Sequence, residues 1–178
     1  MMLILLSLFS IMCSNNSIDN FKFDINLYEK ETNLDATALI SYSDKSVTKD
    51  TYIINFWFPS CAPCAKELPH FQKLYQNYSD DIEIIGIQMI GIDNAKDGLE
   101  FSENLNLTYK LGYNEDNSTI RKYNINSFPT TIFVSKTKNE ITVWDGYIPY
   151  EDLLIKTNDL VVFVRFKKES SFLCFLGG

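Results

Sequence analysis

The sequence predicts an α/β domain: a central mixed sheet flanked by helices, with an extra strand added on the N-terminal side. Three observations carry that expectation. Tyr52 to Phe58 and Ile82 to Ile92 are apolar, β-branched runs separated by a helical pattern. A strand with almost no polar interruption is one covered on both faces, and two such strands joined by a helix run parallel with a right-handed crossover. Farther on, Ile132 to Ser135 and Ile141 to Trp144 flank the turn Lys136–Asn139 and read as a hairpin, with a helical stretch from Tyr150 to about Leu160 behind it.

The bounds are those of one ordinary domain. The chain has 178 residues, of which 46% are hydrophobic, enough for a packed core. Residues 1–20 read as a leader and tether, 21–160 as the domain and 161–178 as a tail to which no role is assigned. The formal net charge of −7 argues against a nucleic-acid partner. A single histidine, His70, leaves no basis for histidine catalysis or a histidine-rich metal site, and no Gly-rich phosphate loop is present.

The leader differs in kind from the rest. Leu3 to Met12 is an apolar run of ten residues, then Cys13 and the polar stretch Ser14 to Asn20. Ten residues are too few to span a bilayer, which takes about 20, but suit the core of an export signal. Cys13 stands where a bacterial lipoprotein signal places its lipidated cysteine. Against this, no basic residue precedes the run, and Ile11 and Met12 replace the small residues of a typical lipobox. A buried N-terminal strand or helix is the competing reading. The expectation is an exported, cell-envelope or periplasmic chain, with Cys13 as the candidate membrane tether.

Within the domain, Phe21 to Tyr28 alternates apolar and polar residues with period two, as a half-buried strand does. Glu29 to Asp50 is polar, with a short apolar patch at Ala38 to Ile40 that reads as a second short strand. After the strand Tyr52–Phe58, Pro59-Ser60 breaks the run, and a helix is expected from Ala65 to about Tyr78. Its apolar residues Leu68, Phe71, Leu74, Tyr75 and Tyr78 are three and four apart, and Pro69 lies inside it. Ala95 to Asn104 reads as a helix with Leu99 on its inner face, Tyr109 to Tyr113 as a short strand, and Asn117-Ser118 as the cap of a helix to about Tyr123.

The chemistry concentrates in Cys61-Ala62-Pro63-Cys64. Two cysteines separated by two residues at a strand-to-helix junction point to a redox site, because the positive end of the helix favours a thiolate over a thiol. A zinc site is the bland alternative, but zinc takes four ligands, and no second C-x-x-C or suitably spaced histidine exists. No metal or cofactor is expected. Glu67 and His70 read as surface residues of the helix, and Cys174 as incidental.

Asn55-Phe56-Trp57-Phe58-Pro59-Ser60-Cys61-Ala62-Pro63-Cys64-Ala65-Lys66-Glu67-Leu68-Pro69 resembles the active-site stretch of the thioredoxin superfamily, closest to its exported TlpA/ResA-like thiol–disulfide oxidoreductases. Phe128-Pro129-Thr130-Thr131 resembles the cis-proline loop of the same superfamily. The resemblance covers roughly residues 21–160. It implies a thioredoxin-like fold and a thiol–disulfide oxidoreductase in which Cys61 attacks and Cys64 resolves. It implies protein thiol or disulfide substrates, a membrane electron donor and a monomer. Trp57, Pro63, Phe128, Pro129, Thr130 and Asn55 are the residues expected to contact substrate or tune the pair, with Trp57 at the surface. Asn55 stands where thioredoxins carry a buried Asp. Phe58-Pro59-Ser60 and Phe128 depart from the commoner residues at their positions, which leaves the direction of the reaction open. The runner-up readings are a DsbA-like oxidase or isomerase, which carries a helical insertion for which the 65 residues between Cys64 and Pro129 leave no room, a metal-carrying thioredoxin fold, which usually adds a distant histidine, and a peroxiredoxin, which needs a different cysteine loop.

Overall fold

The computed structural model describes residues 21–28 and 40–162. The elements are β1 (Asp24–Leu27), β2 (Ser41–Ser43), β3 (Thr51–Trp57), α1 (Ala62–Tyr78), β4 (Ile82–Gln88), α2 (Ala95–Asn104), β5 (Lys110–Tyr113), α3 (Ser118–Lys122), β6 (Thr130–Ser135), β7 (Glu140–Asp145) and a last helix, α4 (150–162). The sheet has seven strands in the order β2-β1-β5-β4-β3-β6-β7. β3, β4 and β5 are parallel, while β6, β7, β1 and β2 add antiparallel neighbours on either side.

β3 is central, and all seven of its residues are buried. Period two sorts them. Tyr52, Ile54 and Phe56 join Ile85, Ile87, Ile132 and Val134 in one core. Ile53 and Trp57 point the other way, into the core formed with α1 and α4 through Leu68, Phe71, Leu74, Ile148 and Leu153. Asn55 lies between Ile53 and Trp57 on that second face, so alternation alone aims its amide at α1.

Several boundaries differ from the sequence expectation. α1 begins at Ala62, not Ala65, because a proline in the first turn loses an N–H that has no helical partner anyway. It continues for 17 residues through Pro69. β2 lies at Ser41–Ser43, just past the apolar patch, and Ile40 is exposed. On α2 the buried residues are Gly98 and Ser102, with Leu99 only half-buried. Asn117 precedes α3 in the left-handed region at φ 53° and its side chain does not cap the helix. It holds Ile90 instead, Oδ1 accepting from the amide at 2.8 Å and Nδ2 donating to the carbonyl at 2.6 Å. The β-prone Val161 and Val162 extend α4. Residues 1–20 with Cys13, and 163–178 with Cys174, lie outside the described residues.

β1 approaches β5 so closely that Gly112 has no room for a side chain. A Cβ there would sit 2.2 Å from the carbonyl oxygen of Asn26 and 3.0 Å from Cα of Leu27, both main-chain atoms. Gly112→Ala is expected to weaken the β1–β5 pairing and lower stability by about 2 kcal/mol, as overpacking against an unyielding neighbour does. Urea unfolding followed by circular dichroism measures it, and an unchanged midpoint would contradict the packing described.

Candidate active site

Cys61 and Cys64 form a disulfide with a Cα–Cα separation of 5.2 Å. Cys61 is the N-cap of α1, and its Sγ accepts from the Cys64 amide at 3.3 Å. That arrangement puts sulfur at the positive end of the helix, where a thiolate gains most. Cys61 keeps 6% of its surface exposed and Cys64 none, so of the two sulfurs only the first is open to an incoming group. Pro63 is exposed in the first turn.

The loop before β6 lies alongside. β3 and β6 pair Phe56 with Thr130, so continuing that register places Pro129 next to Trp57 and Phe128 next to Phe58. The Phe58 and Phe128 rings meet edge to face at 5.3 Å. The Phe128–Pro129 peptide is cis, and the Pro129 carbonyl accepts from Gly146 at 2.8 Å. Phe128 is half-buried and rims the disulfide side of the sheet.

Two of the expected contact residues are corrected. Trp57 is fully buried rather than at the surface, because the alternation of β3 turns it into the α1 core. Thr130 is also buried, and its hydroxyl is used within the loop, donating to the Ser127 carbonyl at 2.8 Å and lying 3.2 Å from Asp145 Oδ1. Both side chains are enclosed and brace the site from within. A groove of about 560 Å³ lined by Phe21, Tyr123, Ile125, Ile132, Ile141 and Val143 opens beside the β6–β7 hairpin, and neither cysteine lines it.

The largest departure is Glu67, expected in solvent and found fully buried. It lies three residues past Cys64 on the same stripe of α1 as Leu68 and Phe71. Oε1 accepts from Asn55 Nδ2 at 2.7 Å and Oε2 from the Ile148 amide at 2.9 Å. Asn55 Nδ2 also reaches Thr131 Oγ1 at 3.2 Å. Burial raises the Glu67 pKa from 4.5 to about 7, although the bonds from Ile148 and Asn55 pull it down. Asn55 is therefore a partner of this carboxyl, not an idle core amide. Sequence reasoning puts Glu67 at the helix surface and assigns no site role to Thr131 or Ile148. The signal for Glu67 was its position, midway between Cys64 and Phe71 on the apolar stripe. His70 lies beside it, half-buried, with Nδ1 3.4 Å from the Ile148 carbonyl.

Comparison with known proteins agrees with this geometry. The model of the AhpC/TSA family matches residues 24–141. The chain belongs to the AhpC/TSA family. It is 25% identical over 103 residues to the thiol-disulfide oxidoreductase ResA of Geobacillus kaustophilus, covering 56% of this chain and 57% of that one. It is 30% identical over 91 residues to the sporulation thiol-disulfide oxidoreductase A of Bacillus subtilis, covering 50% and 54%. The chain thus spans about half the length of the curated relatives it matches. Among solved structures, StoA from Bacillus subtilis superposes with a TM-score of 0.60 at 24% identity, over 74% of this chain and 92% of that one. DsbF from MTB does so with 0.65 at 18%, over 79% and 96%. These likenesses establish the thioredoxin-like fold of this AhpC/TSA member. No helix among the described residues is long and apolar enough to cross a membrane.

The Glu67 shift has a signed consequence. Its pKa is higher folded than unfolded, so its contribution to stability is fully present below about pH 4.5 and is lost as pH rises through about 7. A shift of that size corresponds to about 3 kcal/mol. Glu67→Gln removes the titration. The stability of the wild type relative to Glu67→Gln is expected to fall by about that amount between pH 4.5 and 8, read from denaturant unfolding at each pH. A pH-independent difference would exclude the buried carboxyl as its source.

Proposed function

We propose that this chain is a thiol–disulfide oxidoreductase that reduces disulfides of exported proteins, working through Cys61 and Cys64 with no cofactor. The observation that carries the reading is the disulfide at the N-terminus of α1, with Cys61 keeping a sliver of exposed surface, Cys64 fully enclosed, and a buried carboxyl group one helical turn past Cys64. In the reduced chain, the Cys61 thiolate attacks one sulfur of a client disulfide. A mixed disulfide forms, and the other client sulfur leaves as a thiolate and takes up a proton. Cys64 then gives its proton to Glu67 and attacks Cys61 Sγ. The second client thiol departs and the Cys61–Cys64 disulfide is left, two electrons having passed to the client.

Glu67 suits this role because its pKa near 7 lets it accept a proton and give it up again near neutral pH. Asn55 and the Ile148 amide hold its two oxygens in place. Phe58, Phe128 and Pro63, together with Ile92, which is 65% exposed, offer a client an apolar surface around Cys61. The loop before β6, brought to the motif through the Phe58–Phe128 contact, is the backbone proposed to pair with an extended client segment.

The rest of the reading is of the whole protein: residues 1–20 as leader and tether, Cys13 as its lipid attachment site, a place in the bacterial cell envelope, and a dithiol electron donor in the membrane that returns the pair to its reduced form. The domain is proposed to act as a monomer. Mass spectrometry of membrane-extracted protein tests the tether: a diacylglycerol adduct on Cys13 is expected, and an unmodified chain that retains Met1 would overturn both lipid attachment and export.

Cys61→Ser is expected to abolish reduction of a protein disulfide such as that of insulin. Cys64→Ser is expected to accumulate the mixed disulfide, visible on non-reducing gels. The potential of the pair should lie near the reducing end of the superfamily, about −270 mV, and not near about −120 mV, the value of a dedicated oxidant. Activity that survives Cys61→Ser would end the enzymatic reading, and a potential at the oxidising end would reverse its direction.

A further inference from the structure

The turn that delivers Cys61 is held from outside the motif. Ser60 donates twice to one oxygen of Asp93, its amide at 2.9 Å and its hydroxyl at 2.7 Å from Oδ2. Asp93 belongs to the connection between β4 and α2, and that connection is itself braced along its length. The Met89 amide donates to the Trp57 carbonyl at 2.8 Å, the Asn117 side chain holds both main-chain groups of Ile90, and the Gly91 amide donates to the Asp93 carbonyl at 3.3 Å. Asn94, the next residue, caps α2 in a reciprocal box with Asp97. A carboxylate is thereby fixed on a stiff loop and bonded to the residue next to the attacking cysteine.

Lysines on the two flanking helices have other contacts. Lys66 on α1 lies over the Tyr147 ring at 4.7 Å, and Lys96 on α2 reaches Glu100 at 3.8 Å. None of the ion pairs among the described residues involves Asp93. The Ser60 amide is taken by Asp93, the Cys61 amide donates to the Phe58 carbonyl at 3.1 Å, Pro63 has no N–H, and the Cys64 amide donates to Cys61 Sγ.

We propose that Asp93 is a positioning residue for Cys61 and that its charge shifts the Cys61–Cys64 pair toward the disulfide, making the chain a stronger reductant. The inference rests on the disulfide-exchange reading above. Both effects of Asp93 act on the reduced state. It fixes a negative charge on the residue next to Cys61, and it occupies the Ser60 amide. Whatever destabilises the reduced form lowers the potential of the pair. Ser60, one of the departures from the commoner residues before the motif, supplies the hydroxyl that makes the attachment double.

The test is equilibration of the oxidised chain with 2-mercaptoethanol and its disulfide, an uncharged couple. The protein disulfide takes two electrons and two protons from two mercaptoethanol thiols, giving two protein thiols and one mercaptoethanol disulfide. Asp93→Asn keeps an oxygen for Ser60 but removes the charge. It is expected to raise the equilibrium constant for reduction about tenfold, equivalent to about 30 mV. Ser60→Ala keeps the charge and the amide bond and should stay within about twofold of wild type. The gap between wild type and Asp93→Asn should shrink in 1 M salt, which screens charges at the surface. If Asp93→Asn does not fold, Asp93→Ser replaces it. An equilibrium constant that does not move while the melting temperature falls would reduce Asp93 to a brace and overturn the proposal, as would a Ser60→Ala shift as large as that of Asp93→Asn. A wild type that never exchanges with the couple would instead sink the disulfide-exchange reading itself.

Discussion

Behind the disulfide, one carboxyl group joins three parts of the chain. Glu67 belongs to α1, one of its oxygens is bonded to Asn55 in the central strand, and the other is bonded to the backbone of Ile148 just before α4. These bonds add direction to the apolar packing of Leu68, Phe71 and Leu74, and together they fix the orientation of α1 about the sheet and so the place where Cys61 and Cys64 stand. The cost is large. A carboxyl group taken out of water resists ionisation, and two hydrogen bonds only partly offset that. An apolar residue would fill the same space without the penalty. The placement makes sense where the group has a proton to handle, and it lies one helical turn from the buried sulfur that must lose one.

The sheet makes that contact possible by simple alternation. Along β3, one set of side chains packs under β4 and β6 in one core, and the other set, Ile53, Asn55 and Trp57, faces α1. A polar residue at any even-numbered neighbour would have been buried on the wrong side. The same alternation removes Trp57 from the surface and makes it support for the site. Beyond the end of β3, the register with β6 carries on into Phe58 and Phe128, whose ring contact brings the proline loop to the motif. Strand pairing therefore assembles the exposed half of the site, and helix-to-strand hydrogen bonding assembles the buried half.

Legibility in the sequence divides along the same line. β3, β4, α2 and the β6–β7 hairpin could be read because their patterns are periodic and local, and the two motifs could be read because chemistry constrains residue type. The start of α1 is harder to read, because the motif itself forms the first turn and Pro63 suits a position where no N–H is needed. Glu67 was misplaced because residue type was weighed above its position on the stripe. Asn117 carried a cap-like sequence, yet its amide serves the loop after β4. Asp93 left no trace at all, since a contact between residues 60 and 93 depends on how two loops meet and has no period to reveal it.

Seen together, the two carboxyl groups near the pair differ by environment, not by kind. Glu67 is enclosed, and its proton affinity rises until it can exchange a proton near neutrality. Asp93 is half-buried, bonded by two donors from Ser60 and in no ion pair among the described residues. A group in the first setting is suited to moving a proton, and one in the second to holding a charge still. In the mechanism proposed above they serve different sulfurs, Glu67 the one that resolves and Asp93 the one that attacks. A single short motif can thus have its rate governed from behind and its equilibrium governed from in front, by residues that lie outside the four positions of the motif.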